Sequence, residues 1–241
     1  MTTFDINFDF STTSEQQQIL SQLQAAGYSL LGYKGAEGPN QLTVGVPTWF
    51  SVPFGNMFGI VDIDYTPTYK IYVYNKSEIA ANTTIQMQSI SSAMPLGNAL
   101  TFQQDGAFVS GGVDNVPADS LALFNNRPGT TSNLTVGLAG LVNLPTGSQY
   151  LPFCAFTLPP QNSIVMKPLE TILLVAAQRS LQSGNVQASV SAPGCTFSFS
   201  ASAQTYDLQI TSNTYAITNV PGTTSVMPVS SGSTIGTIIN T

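Results

Sequence analysis

Apolar and polar residues alternate with a period of two along most of the chain after residue 28. In CTFSFS, which begins at Cys195, every second residue is apolar, and 186–190 and 206–210 repeat the pattern. Successive side chains of a β-strand point to opposite faces, so this alternation predicts half-buried strands. Further strands are predicted at 48–52, 60–64, 68–74, 84–90, 134–142 and 151–157.

One amphipathic helix is predicted near the start of the chain, at about 14–26. Ser14 and Gln17 have the spacing of a capping box, and Gly27 stands where a left-handed C-cap belongs. The apolar residues between them recur at helical spacing, at Ile19, Leu20, Leu23 and Ala26. Such a helix has one narrow apolar face and is expected to lie across the edge or end of a sheet.

Short strands separated by Pro, Gly, Asn and Ser turns are typical of a β-sandwich or barrel. The ambiguous stretch 169–183 fits a helix or a buried strand, and we favour the strand. The fold predicted is therefore mainly β: an antiparallel β-sandwich with one short N-terminal helix, forming a single domain over 1–241. The uncharged segment 221–241 is expected to be a flexible tail or a strand that pairs, including with a neighbouring subunit.

Charge is scarce in this chain. Only 7% of the residues are Asp, Glu, Lys or Arg, against about 25% in an average globular protein. The net charge of −6 and the pI near 4.2 argue against nucleic-acid binding, because no basic patch is available to displace counterions from phosphates. A neutral surface suits proteins that self-assemble or that meet membranes and glycans, since few ionic groups need desolvating. It is equally consistent with the ordinary composition of a secreted or structural protein.

Catalytic chemistry has little support in the sequence. The chain has no histidine, which removes His-based triads and most zinc sites, and it has no nucleotide-binding motif. We expect no enzyme activity and no cofactor. Asp62 and Asp64 alternate on a predicted strand and so share a face. They are candidates for a Ca²⁺ site or a carboxylate pair, or they simply keep a strand soluble.

The two cysteines and the N-terminus bear on where the protein is located. Cys154 and Cys195 form one disulfide in an oxidising compartment, or they are two buried free thiols. The opening MTTFDINFDF lacks a secretory signal, and the apolar run Ile172–Ala177 is too short to cross a bilayer. We expect a secreted or extracellular protein without a visible signal peptide. A processed mature form and a cytoplasmic protein are the alternatives.

Aromatic residues are concentrated between Trp49 and Tyr74, where eight of them occur. The middle of this segment is a turn containing Pro and Gly, on which burial is harder than on a strand, so Phe54, Met57 and Phe58 are expected to be exposed. Aromatic side chains on a turn bind membrane interfaces or sugar rings. The alternative is that part of the cluster fills the core. The candidate lipid- or glycan-binding residues are Trp49, Phe50, Phe54, Met57, Phe58, Tyr65 and Tyr69.

The segment WFSVPFGN within this cluster resembles the FSVPYDYN segment of the actinoporins, which are pore-forming toxins with a β-sandwich fold. The similarity covers about eight residues, and the second tryptophan expected nearby is missing. The resemblance implies lipid binding by aromatic loops and a membrane-inserting N-terminal helix, for which 14–26 is the counterpart.

Two functions are therefore predicted. The first is a non-enzymatic protein that binds membrane lipid or a glycan and forms a homo-oligomer on assembly, including as a pore-forming toxin. The second is a structural subunit of a fibre, capsid or surface layer, which the low charge and the uncharged C-terminal segment also favour.

Overall fold

The computed structural model describes residues 3–240, which form a mainly β protein. The helices are α1 (Ser14–Ala25), a 3₁₀ helix (Phe54–Asn56) and α2 (Ile235–Ile239). The strands of the first half are β1 (Phe4–Asp9), β2 (Ser29–Glu37), β3 (Val46–Pro47), β4 (Phe50–Pro53), β5 (Ile60–Tyr74), β6 (Ser89–Ile90), β7 (Asn98–Phe102), β8 (Phe108–Ser110) and β9 (Leu121–Asn125). Those of the second half are β10 (Leu134–Leu144), β11 (Gly147–Pro152), β12 (Phe156–Leu158), β13 (Ser163–Ala177), β14 (Val186–Gln187), β15 (Gly194–Ser198), β16 (Thr205–Ile210), β17 (Ile217–Asn219) and β18 (Met227–Val229).

The strands form two large sheets that pack in a sandwich, as predicted. The first has the order β11-β10-β5-β1-β16-β17, with β12 on β10 and β6 on β5. The second has the order β18-β15-β13-β9-β7-β8, and β2 joins it by pairing with β13 and β4. The sheets are mixed rather than wholly antiparallel, since β1 runs parallel to β16 and β7 parallel to β9. Alternation reports which side chains are buried and carries no information about the direction of the neighbouring strand.

Each of the two large sheets contains one strand of 15 residues. β5 lies in the first sheet and unites two predicted strands. β13 lies in the second sheet and confirms the strand interpretation for residues 169–177 of the ambiguous stretch, whereas 178–183 lie outside the strand. Each strand has a register shift beside a proline, at Pro67 in β5 and at Pro168 in β13. A proline has no N–H to donate, so it is tolerated in a sheet where the ladder is already interrupted. The predicted strand 84–90 is reduced to Ser89–Ile90.

Helix α1 closes one end of the sandwich. Its N-cap is Thr13 rather than Ser14, because the Gln16 N–H donates to Thr13 Oγ1 at 3.1 Å. At the C-terminus Gly27 has a φ of +68°, and the Gly27 and Tyr28 N–H groups donate to carbonyls in the last turn of the helix. This is a Schellman motif, and it confirms the predicted role of the glycine.

The C-terminal segment belongs to the fold of its own chain. β18 pairs with β15, and α2 packs on the second sheet with Ile235 and Ile239 buried. The Ala36 N–H of β2 donates to Asn240 Oδ1 at 3.0 Å. The segment is therefore a packed part of the second sheet. Two alternatives were predicted for 221–241, a flexible tail and a pairing strand, and the described residues, which end at 240, contain a pairing strand within their own chain.

The two cysteines are free and buried. Cys195 lies on β15, and Cys154 lies between β11 and β12, where its Sγ accepts from the Leu138 N–H at 3.3 Å. The disulfide considered from the sequence is therefore not formed. Both residues act as small apolar side chains in the core.

We predict that Gly35→Ala destabilises the protein, because a Cβ on Gly35 would lie 1.9 Å from the carbonyl oxygen of Ile239. Backbone must shift to admit it, so the free energy of unfolding should fall by about 2 kcal/mol. Gly55→Ala is the matched control, since a Cβ there meets nothing within 4 Å. Its effect should be below about 1 kcal/mol. Urea denaturation measures both variants, and equal midpoints would contradict the prediction.

Candidate functional site

The aromatic segment is mostly core. Of the seven candidate contact residues, Phe58 alone is exposed, with 72% of its surface accessible. The buried ones, with at most 1% accessible, are Trp49, Phe50, Phe54, Met57, Tyr65 and Tyr69. The expectation that Phe54 and Met57 are exposed was therefore wrong.

Phe54 and Met57 are buried because α1 covers the turn that carries them. Gln24 Nε2 of α1 donates to the carbonyl oxygens of Phe54 at 3.3 Å and of Met57 at 3.0 Å. The Phe54 ring packs edge-on against Phe10, with centroids 6.3 Å apart. The turn therefore has both of its apolar side chains in the core, and its two carbonyl groups are hydrogen-bonded to α1.

An apolar tip nevertheless remains directly after this turn, formed by Phe58, Gly59 and Ile60. Ile60 is 65% exposed and begins β5, and it was not singled out by the sequence pattern. Gly59 has a φ of +60°, and its carbonyl accepts from the Phe10 N–H at 2.9 Å. The tip therefore projects from an anchored backbone. We call Phe58–Ile60 the apolar tip.

The surroundings of the apolar tip carry little charge. Neither 10–28, which contains α1, nor 55–60 contains a Lys or Arg. Asp9 lies opposite Ile60 in the ladder, and its carboxylate accepts hydrogen bonds from Ser11. These bonds lower the pKa of Asp9, so the carboxylate is charged at neutral pH.

The second notable group is polar and lies inside the sandwich. Lys34 of β2 is fully buried, and its Nζ lies 2.8 Å from Glu170 Oε2 of β13. The Glu170 side chain keeps 29% of its surface exposed. Lys34 Nζ also donates to the Leu169 carbonyl and lies 4.4 Å from the centre of the Tyr65 ring.

The position of Glu170 follows from the irregularity in β13. Pro168 lies opposite Ala36 and Ile172 lies opposite Lys34, so residues 169–171 face a single residue of β2. The extra residues bulge out of the ladder, which brings the Leu169 carbonyl and the Glu170 carboxylate to the ammonium group. A bulge of this kind re-aims a side chain that a regular strand would direct elsewhere.

The other sheet supplies two phenols to the same carboxylate. Tyr69 Oη donates to Glu170 Oε1 at 2.8 Å, and Tyr65 Oη lies 3.3 Å from that oxygen. The two phenols also hydrogen-bond each other. Both tyrosines come from β5, on either side of its own irregularity at Pro67. We call Lys34, Tyr65, Tyr69 and Glu170 the inter-sheet cluster.

Burial controls the ionisation of the inter-sheet cluster. It lowers the pKa of Lys34, an effect that the nearby Glu170 carboxylate partly offsets. Burial also raises the pKa of Tyr65 and Tyr69 well above its ordinary value, so both phenols stay protonated and donate. Among the described residues no buried side-chain N or O atom lacks a hydrogen-bond partner.

Lys34 was not predicted as a site residue, although its position in the sequence carries a signal. Leu30 and Ala36 have the same parity as Lys34 on β2 and both contribute to the main core. Period-two alternation thus places the lysine on the inward face. Nothing in the pattern indicates that Glu170 is its partner, because their contact depends on the bulge in β13. Leu169, the first residue of that bulge, is 135 residues from Lys34 in the sequence.

Asp62 and Asp64 share a face of β5, as predicted, and this face is the outer one. Asp64 is opposite Asp5 in the ladder, and Asp62 is opposite Asn7. Burial and then the neighbouring Asp5 raise the pKa of Asp64. Among residues 3–240 no group of three or more His, Cys, Asp or Glu side chains is placed to hold a metal ion.

An open groove of about 610 Å³ lies between the segments 91–100 and 108–116. Its walls are mostly Ser, Ala, Gly and Asn, with Phe108 on one side and Asp114 as the one carboxylate.

Comparison with other proteins adds no assignment. No protein-family model matches the chain, and the searches of curated proteins and of solved structures give no significant match. None of the helices in the described part of the chain has the length and apolar character needed to cross a membrane.

We predict that Cys154 and Cys195 are unreactive in the folded protein. Burial raises the pKa of both thiols to about 12, and the thiolate is the reactive form. Iodoacetamide at pH 8 should label neither cysteine natively and both in guanidinium chloride. Mass spectrometry counts the labels, and native labelling of either residue would contradict the burial.

We predict that Glu170→Ala strongly destabilises the protein, because the buried ammonium of Lys34 loses its carboxylate. The free energy of unfolding should fall by at least about 2 kcal/mol. The loss should be smaller than for a fully buried ion pair, because Glu170 is partly solvated. Asp119→Ala is the control: it removes the exposed pair with Lys167, whose charged atoms are 3.1 Å apart. Its effect should stay below about 1 kcal/mol. Urea titration compares the two, and a similar loss in both would contradict the prediction.

Proposed function

We propose that this protein is a non-enzymatic binding protein that attaches to membrane lipid through the apolar tip. One observation carries the proposal. Phe58 and Ile60 are 72% and 65% exposed, on either side of a glycine whose backbone is anchored to Phe10. Large apolar side chains held outward together on an anchored turn fit a membrane interface better than they fit water.

The size of the apolar tip limits the affinity that it provides. Transfer of one Phe or Ile side chain from water stabilises the bound state by about 1.5–3 kcal/mol. The two together give about 3–6 kcal/mol, which corresponds to a dissociation constant between millimolar and tens of micromolar. A single copy therefore binds weakly, and stable attachment depends on several tips acting together. This is the reason that we include homo-oligomerisation on the membrane in the proposal.

The charge distribution favours neutral lipid. The net charge is −6, and the segments that form and flank the apolar tip contain no Lys or Arg. Anionic headgroups attract proteins through basic clusters, so an acidic leaflet offers no added attraction here.

The support for the proposal is confined to attachment and does not extend to pore formation. In the actinoporin-like hypothesis the N-terminal helix inserts into the membrane. α1 is instead tied to the first sheet, where the Gln16 side chain exchanges two hydrogen bonds with the backbone of Ile210. Ile19 and Leu23 are buried beneath it. Insertion would require these contacts to break.

Glycan binding by the same segment has less support, because Trp49 and both Tyr65 and Tyr69 are buried. The structural-subunit hypothesis stays as the alternative. A truncation at Pro228 would not test it, because the segment removed contains Val229 of β18 and all of α2, and would disturb the second sheet. The mass of the intact protein in solution, with and without vesicles, separates the two functions.

We predict that phosphatidylcholine vesicles sediment the wild-type protein and that Phe58→Ser/Ile60→Ser abolishes this. Removing both apolar side chains removes the transfer free energy that holds the tip in the interface. Replacing part of the phosphatidylcholine with phosphatidylserine should not increase the bound fraction.

Met227→Ser is the matched control for this experiment. Met227 is 69% exposed but lies on β18 in the other sheet, so its loss should leave sedimentation unchanged. Absence of wild-type binding, or equal binding by the double variant, would end the proposal. A large assembly in the absence of vesicles would favour the structural subunit instead.

A further inference from the structure

The inter-sheet cluster holds the fully buried amine of Lys34 in contact with the partly exposed carboxyl group of Glu170. Lys34 Nζ lies 2.8 Å from Glu170 Oε2, and the Lys34 side chain is fully buried. The Phe153 ring lies 5.7 Å from the ammonium and the Tyr65 ring 4.4 Å, so aromatic faces enclose the amine. The ion pair keeps the amine beside the carboxyl group whose Cδ it would attack, and holding two reacting groups together in this way raises their effective concentration.

We propose that Lys34 and Glu170 condense into an intramolecular amide bond that joins β2 to β13. A proton passes from Lys34 Nζ to Glu170 Oε2, which gives a neutral amine and a carboxylic acid. The nitrogen lone pair attacks Glu170 Cδ and forms the C–N bond. The hydroxyl at Oε2 takes up a second proton from the nitrogen, the C–O bond breaks, and water leaves. An ammonium and a carboxylate thus become one amide and one water molecule, with no oxidant or co-reactant.

The tyrosines are placed to assist this reaction. Attack at Cδ puts negative charge on Glu170 Oε1, the oxygen that Tyr69 contacts at 2.8 Å and Tyr65 at 3.3 Å. Donors already aimed at an oxygen that becomes charged lower the barrier to acyl transfer. Because burial raises the pKa of both phenols, they remain donors throughout. Tyr69 is the closer donor to this oxygen, and Tyr65 shares its single proton between the same oxygen and the Tyr69 hydroxyl.

Burial favours the neutral amine of Lys34, and the partial exposure of Glu170 allows water to leave. Burial lowers the pKa of Lys34, which increases the fraction of nucleophilic amine. Glu170 retains 29% side-chain exposure, which provides an exit for the water molecule. The amide replaces a buried ion pair, whose desolvation is costly, with a neutral group.

The product would join β2 to β13 at the irregularity in β13. Residues 169–171 have no regular ladder partners opposite β2, so this stretch lacks the hydrogen bonds that join the strands on either side. A covalent bond there joins two adjacent strands across the bulge. This inference is independent of lipid binding at the apolar tip, and either can fail alone.

The test is mass spectrometry of the purified, unfolded and proteolysed full-length protein. We expect a branched peptide that contains both Lys34 and Glu170 and is lighter than the sum of its two parts by one water molecule. The intact mass alone is insufficient, because Asp105-Gly106 can also lose water through succinimide formation. Recovery of the Lys34 and Glu170 peptides separately, at full mass, would overturn the proposal.

Two methionine substitutions make the assignment specific. Lys34→Met keeps the length of the side chain but removes the amine, so the branched peptide should disappear. Lys167→Met is the control: Lys167 pairs with Asp119 on the surface, and its loss should leave the branched peptide intact. If Lys34→Met does not fold, the wild-type peptide map still decides. Loss of the branched peptide in Lys167→Met would also overturn the proposal.

Discussion

A single buried ammonium group imposes the geometry at the centre of this sandwich. Lys34 lies where β2 faces the core, and an unpaired charge there would cost several kcal/mol. The second sheet meets this demand with the bulge that delivers Glu170, and the first sheet adds Tyr65 and Tyr69. The residues of β5 and β13 that contact Lys34 lie where each 15-residue strand departs from regular pairing beside a proline. The inter-sheet cluster thus links the two layers through their longest strands.

The same cluster explains why the aromatic segment forms core and not surface. The Trp49 ring packs edge-on against Tyr65 with centroids 5.2 Å apart and lies close to Phe153, which faces the ammonium from the other side. Large aromatic rings exclude water from a buried charge while their faces attract the cation. The concentration of aromatics that suggests a ligand surface therefore has a structural purpose, and only Phe58 is left for contact with a partner.

The two proposals concern different parts of the molecule and different properties. The apolar tip lies at the end closed by α1, and its attachment to lipid relies on low local charge and a backbone held by Phe10. The proposed amide bond would lie between β2 and β13 and would raise the resistance of the second sheet to unfolding. A protein with so few surface charges gains little stability from ion pairs, so a covalent link between β2 and β13 would supply resistance that its surface does not.

Local pattern alone determined the mainly β class, α1 with its glycine cap, and the alternating burial of Tyr206, Leu208 and Ile210. Each of these depends on neighbours a few residues apart. Tertiary structure decided four other features: the mixed strand directions, the docking of α2, the free state of the two cysteines and the covering of Phe54 by α1. It also decided the meeting of Lys34 with Glu170. All of these depend on residues distant in sequence, whose proximity arises only when the two sheets pack and their bulges set the register.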